Sequence, residues 1–350
     1  MSIGKSLVTG VQRVLRFPSL ILWIYLGSVL LAVPLTLVIR GTLDRSIGHS
    51  LAHENLRQGF DLNWYGEFSF QNSGLADTFG PSLVGALPMW RNLESLLEGR
   101  ILTQKPGVLV TGILFLLLWA LLAGGILDRF SRPEEKHSRS RLFSQGAEYF
   151  FRMLRLLMLS LLLYFCIFRF LALPLSRWVV EASRDVTVER TMLLYTLVGY
   201  LLVGLLLLLV AMVLDYAKIS LIVESRRSPL LALFRGIRFV ISNFRRCSVL
   251  YLALLAVGLL LFLFYALVAP GPGQSTTVTI TAAFLVGQLY LMTRIFLKFW
   301  FLSGQTVLFQ TALAPASNVI AADSAETSLP IITGTPGAEE APESSGNAQD

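Results

Sequence analysis

Charge is what this 350-residue chain has least of: 15% of its residues are Asp, Glu, Lys or Arg, against 54% hydrophobic. A soluble domain of this length has no core large enough to hide that much apolar surface. Histidine is nearly absent, with three in the chain. His49 and His53 share a four-residue spacing with Glu54 beside them. Two imidazoles fall short of a catalytic zinc site, so this stretch reads as an exposed helical face and no metal is expected. The two cysteines, Cys166 and Cys247, have neither metal-ligand nor disulfide spacing, which leaves them as packing residues. No nucleophile elbow, phosphate loop, dinucleotide fingerprint or zinc-protease motif occurs. The expectation is therefore a non-enzyme without a cofactor.

What the chain has in quantity is long apolar runs. Val108 to Leu127 and Leu193 to Leu214 are free of charge, and about 20 such residues at 1.5 Å each span roughly 30 Å of hydrocarbon. Six runs of this kind are read, over about 18–39, 108–127, 153–173, 193–214, 249–268 and 280–302. The fold class that follows is all-α: a polytopic integral membrane protein of about six transmembrane helices with amphipathic cytoplasmic elbows. The first run is preceded by Lys5, Arg13 and Arg16 with no acidic residue. It exceeds a signal-peptide core and lacks a cleavage site, so it reads as an uncleaved span. The third is expected to stop at Pro174.

Between the first two spans lies the hydrophilic stretch Arg40 to Lys105. Leu43, Ile47 and Leu51, at i, i+4 and i+8, extend the first helix as an amphipathic piece. Phe60, Trp64, Tyr65, Phe68 and Phe70 suit an aromatic belt at headgroup level. Leu83, Val84, Leu87, Trp90, Leu93 and Leu97 line one side of a further helix suited to lying on the bilayer. Past about Ala312 the composition turns to small, polar and acidic residues, so 311–350 is expected to be a disordered acidic cytoplasmic tail.

Lys and Arg are distributed unevenly. The N-terminus and the loops after the second and fourth spans hold 17 of them, and the alternate loops hold 9. The excess marks the cytoplasmic side, so both termini are expected in the cytoplasm of a cell (inner) membrane protein. These tracts flank apolar helices, which favours anionic lipid headgroups over nucleic acid as their partner. A membrane-protein partner is the other expected contact.

The second and fourth spans both close on Leu-Asp, at Leu127-Asp128 and Leu214-Asp215. Each is followed by basic residues, then Leu-Phe (Leu142-Phe143, Leu233-Phe234), a glycine (Gly146, Gly236) and an aromatic three residues on (Tyr149, Phe239). Either a duplicated helical hairpin or convergence on basic flanks explains the likeness. The six spans, with the fourth ending Leu214-Asp215-Tyr216-Ala217-Lys218 before the amphipathic stretch Leu230 to Arg246, resemble a broad group of bacterial multi-pass proteins. The membrane domain attached to some glycerophosphodiester phosphodiesterases is the best-known member. The resemblance covers residues 105 to 310 and implies an integral-membrane fold. It implies no catalytic residue, because no phosphodiesterase domain is present.

Charges inside the spans are costly, at least about 2.5 kcal/mol each on insertion scales. Asp128, Asp215, Arg294 and Lys298 form the candidate intramembrane or interface charge cluster, with Asp215, and by the likeness of the elbows Asp128, expected beside Arg294 or Lys298. Snorkelling to the headgroups accounts for Lys298 fully and Arg294 in part, the alternative being a polar substrate path. The function expected is a non-enzymatic membrane protein with a scaffolding or accessory role, the alternative being a transporter of an anionic or lipid-like solute.

Overall fold

The computed structural model describes residues 3–48, 61–72, 106–135, 139–184, 188–226, 228–269 and 276–327, and among these every element is helical. The elements are α1 (Ile3–Leu15), α2 (Pro18–Gly48), α3 (Leu62–Gln71), α4 (Pro106–Ser131), α5 (Arg139–Ile167), a π-helical turn (Phe168–Ala172), α6 (Leu173–Ser183), α7 (Glu189–Val223), α8 (Pro229–Ser242), α9 (Phe244–Val268) and α10 (Thr277–Thr327). Six helical stretches are long and apolar enough to cross a membrane: Pro18–Gly48, Leu109–Ser131, Ser140–Ser183, Arg190–Val223, Phe244–Val268 and Thr277–Leu313. The protein is an all-α polytopic membrane protein. By its packing the chain divides into Met1–Gln310 and Thr311–Asp350.

Three elements depart from the sequence expectation. The third span does not stop at Pro174, which sits in the first turn of α6, where a missing N–H is tolerated. The π turn just before it, with Leu173 N–H donating to the Phe168 carbonyl, lets the helix pass the proline. The fourth span does not end at Asp215: α7 continues to Val223. The N-terminal basic stretch forms a separate amphipathic helix, α1, whose Ser6, Gly10 and Val14 at i, i+4 and i+8 are its buried stripe. His49, His53, Leu51, Phe60 and the surface helix expected over 81–97 lie outside the described residues.

Burial gathers at one end of the first unit, here termed the packed end. In α10, all residues from Leu302 to Phe309 are buried, which marks a helix enclosed on every side. Gly10 of α1 lies so close to it that a Cβ there would meet the Gly304 backbone at 3.0 Å. The Trp300 indole N–H donates to the Leu7 carbonyl at 3.0 Å. Arg13 donates to the Phe130 carbonyl and to Gln310 Oε1, at 2.6 and 3.0 Å, and Gln310 Nε2 donates to the Ser131 carbonyl at 2.7 Å. Burial, then the adjacent charge of Arg16, lowers the Arg13 pKa, and Glu134 opposes this. Phe130 meets Phe299 edge-on, and Tyr216, Phe239 and Phe309 form an aromatic triangle that brings α7, α8 and α10 together.

Away from this end the spans open. The most apolar windows of the six are between 0% and 33% buried, so their Leu-rich faces meet the bilayer more than each other. Pairwise packing still runs lengthwise. Tyr251 meets Phe301, Gly258 meets Leu297 and Tyr265 stacks on Tyr290, an antiparallel register that holds α9 against α10. Arg129 over Phe17, the residue just before α2, and Leu118 beside Gly27 align α2 with α4 in the same way. Trp64 and Phe68 of α3 stack at 5.2 Å and pack on Leu43 and Ile47 of α2, with Trp64 Nε1 donating to Ser46 Oγ. These two aromatics brace a helix end, unlike Phe70, which is exposed as a belt residue would be.

Candidate functional site: a charge cluster between the spans

The likeness of the two elbows has a structural counterpart in how each hairpin closes. A Cβ on Gly146 would meet the Leu121 carbonyl oxygen at 2.6 Å, and one on Gly236 would meet the Val213 carbonyl oxygen at 2.8 Å and the Ala217 nitrogen at 2.9 Å. Both hairpins therefore close through a glycine pressed onto the preceding span. The crossing points differ, however. Gly236 lies level with Asp215, whereas Gly146 meets a residue seven positions before Asp128, almost two turns along the helix. The second half also breaks at Asn243 between α8 and α9, where α5 runs unbroken from its elbow into its span.

The same offset separates the two aspartates. Asp128 is buried at the packed end, 3.8 Å from Arg132 and 3.7 Å from Arg141, and Arg141 also pairs with Glu135. It is an internal staple of the α4–α5 hairpin. Asp215 lies elsewhere, among groups from three other spans. Its Oδ1 accepts from Lys218 Nζ at 2.9 Å, one turn on in α7, and its Oδ2 accepts from the Tyr251 hydroxyl of α9 at 3.4 Å. Tyr164 of α5 lies within electrostatic range of Asp215, Lys218 and Tyr251.

Lys298 of α10 stands in the field of Lys218, Asp215 and Arg294. Its ammonium lies 3.5 Å from the centre of the Trp119 ring of α4, a cation–π contact. Arg294, one turn further from the packed end, lies over Tyr290 at 5.8 Å. The structure thus brings Asp215, Arg294 and Lys298 into one neighbourhood and leaves Asp128 outside it. The direct ion pair expected between Asp215 and Arg294 or Lys298 is not the one formed: Lys218 holds the carboxylate. The physical reason is local, since a lysine three residues on in the same helix meets the aspartate without spanning a helix–helix gap.

Sequence reasoning missed the members that are not charged or were assigned to an elbow: Trp119, Tyr164, Lys218 and Tyr251. Only Lys218 carried a signal, its i, i+3 spacing from Asp215. It also missed the enclosed polar turn Ser303–Gly304–Gln305–Thr306, which lies just past the expected end of the last span at 302. Ser6 Oγ, Ser303 Oγ and both amide atoms of Gln305 are buried there without a hydrogen-bond partner among the described residues.

No known protein family matches this chain, and no curated protein or solved structure does either.

Proposed function

We propose that the protein is a non-enzymatic membrane component with an accessory or scaffolding role, held in the cell (inner) membrane with its packed end and both termini in the cytoplasm. The observation that carries this reading is the contrast within each span. One end is locked by close glycine contacts and aromatic packing, and the rest leaves long apolar faces uncovered. Helix association in lipid depends on shape and on polar contacts more than on burial, so such faces are free for neighbouring membrane proteins. The basic elbows α5 and α8 add attraction to anionic headgroups, about 1 kcal/mol per cation near the surface. The resemblance of residues 105 to 310 to phosphodiesterase-linked membrane domains fits the same reading, because those domains accompany another activity.

The test is gentle extraction of the tagged chain from native membranes, followed by size analysis and identification of what travels with it. A stoichiometric membrane-protein partner that survives washing is expected. Recovery of this chain alone, at the mass of a single copy in detergent, would overturn the accessory role.

A second reading, transport of an anionic or lipid-like solute, is favoured by one feature: three cations and a single carboxylate converge where five spans meet.

A further inference from the structure

We infer that the cluster of Lys218, Arg294 and Lys298 around Asp215 is a binding site for a phosphate-bearing anion, with the headgroup of an anionic lipid as its natural form. The inference stands apart from the accessory role, since a membrane component of either kind could carry such a site.

Charge is the first argument. Lys218 and Lys298 share the field of one carboxylate, Asp215, which Lys218 already occupies at 2.9 Å, and Arg294 lies one turn from Lys298 on the same helix. Among the described residues, neither Arg294 nor Lys298 has a carboxylate within 4 Å, and each rests on an aromatic face instead. Two positive charges are left without an anion in a chain that otherwise keeps its spans nearly free of charge. A counter-anion would stabilise partly desolvated cations of this kind.

Depth and access are the second. Lys298 is 21 residues from the start of α10 at Thr277, about 32 Å along the helix, which is roughly the thickness of the hydrocarbon layer. It therefore stands at the headgroup level of the leaflet on the packed side. Arg294 and Lys298 are both exposed, whereas the next residue, Phe299, is fully buried. The cluster is open towards the bilayer and closed towards the packed end. A lipid can present its headgroup there while its chains lie along the uncovered apolar faces.

The donors are the third. Two ammonium groups and a guanidinium are the groups that bind phosphate oxygens, and the Tyr251 hydroxyl shares the Asp215 carboxylate with Lys218. The nearby Asp215 disfavours a second anion of high charge and so suits a phosphodiester better than a dianion.

The test uses the full chain purified in a maltoside detergent, with melting temperature followed against soluble dioctanoyl phosphatidylglycerol, dioctanoyl phosphatidylcholine and inorganic phosphate. Phosphatidylglycerol is expected to raise the melting temperature saturably and phosphatidylcholine to leave it unchanged. K298Q and R294Q should each weaken the apparent affinity at least tenfold. K298R should preserve it, D215N should tighten it, and R238Q on α8, outside the cluster, should leave it alone. A matching response to inorganic phosphate would identify the ligand as a soluble phosphate, and a response to the lipid alone would identify a headgroup; both uphold the anion site. An equal response to phosphatidylcholine, unchanged affinity in K298Q, or an equal loss in R238Q would overturn it and reduce the cations to snorkelling. K298R keeps the test decisive if K298Q fails to fold.

Discussion

At the scale of single residues, the contrast between Asp128 and Asp215 shows how little a motif says about its use. Both follow leucine at the end of an apolar run, yet one is buried between two arginines and the other is shared by a lysine and a tyrosine hydroxyl. A carboxylate takes whatever cation its helix register supplies first, and register is a property of the packed pair of helices. The glycines decide that register. Gly236→Ala would drive a methyl group against the Val213 carbonyl oxygen and the Ala217 nitrogen, both backbone atoms under 3.0 Å away. Overpacking of this kind costs about 1–3 kcal/mol. Gly204→Ala, in the middle of the same α7 span, meets nothing within 4 Å and replaces a poor helix former by a good one. The expected outcome is a lower melting temperature in detergent for Gly236→Ala and an equal or higher one for Gly204→Ala. Equal melting of both variants would show that the α7–α8 contact is looser than described.

At the scale of elements, the six apolar runs were legible because a span must be long, apolar and nearly uncharged, and few sequences satisfy all three by accident. Their ends were less legible. Asp215 and Lys218 look like a terminus, but they neutralise each other on one face of a continuing helix, so α7 runs on to Val223, eight residues past Asp215. Pro174 looks like a stop, but a single π turn makes it a start. The charge cluster was half legible: Arg294, Lys298 and Asp215 stand out by their cost in a span, whereas Trp119, Tyr164 and Tyr251 belong to it only through tertiary packing. The true end of α7 is set by Ser225, whose φ of 48° places a non-glycine residue in the left-handed region. Arg226 N–H donates to the Leu221 carbonyl at 3.0 Å, closing the cap that glycine usually closes. Ser225→Gly relieves the left-handed penalty and gives back part of it in chain entropy, for a net gain of about 0.5–1 kcal/mol. A small rise in melting temperature with unchanged helicity is the expected measurement. A fall would show that the serine side chain, and not the backbone, holds the cap.

At the scale of the whole molecule, the charge asymmetry read from the sequence and the packing asymmetry of the structure concern the same end. Arg13 of α1, Arg141 of the first elbow and Arg235 of the second all belong to the packed end, where Arg13 clasps α4 and α10. Arg235 donates at 3.0 Å to Glu224, tying α8 back to the end of α7. The basic residues that would retain this end in the cytoplasm under the proposed orientation are thus also fasteners of its fold. The alternate loops, between α2 and α4, α6 and α7, and α9 and α10, join the ends where the spans are least covered. Orientation and architecture therefore stand or fall together in one experiment. A reporter active only in the cytoplasm, fused at Ser138 in the first elbow or at Ser228 before α8, should be active, and one fused at Ser73 between the first two spans should be silent. Activity at Ser73 with silence at Ser228 would place the packed end outside. The basic elbows would then face the leaflet with less anionic lipid, and the cluster of Lys218, Arg294 and Lys298 would have to find its anion on the other side of the membrane.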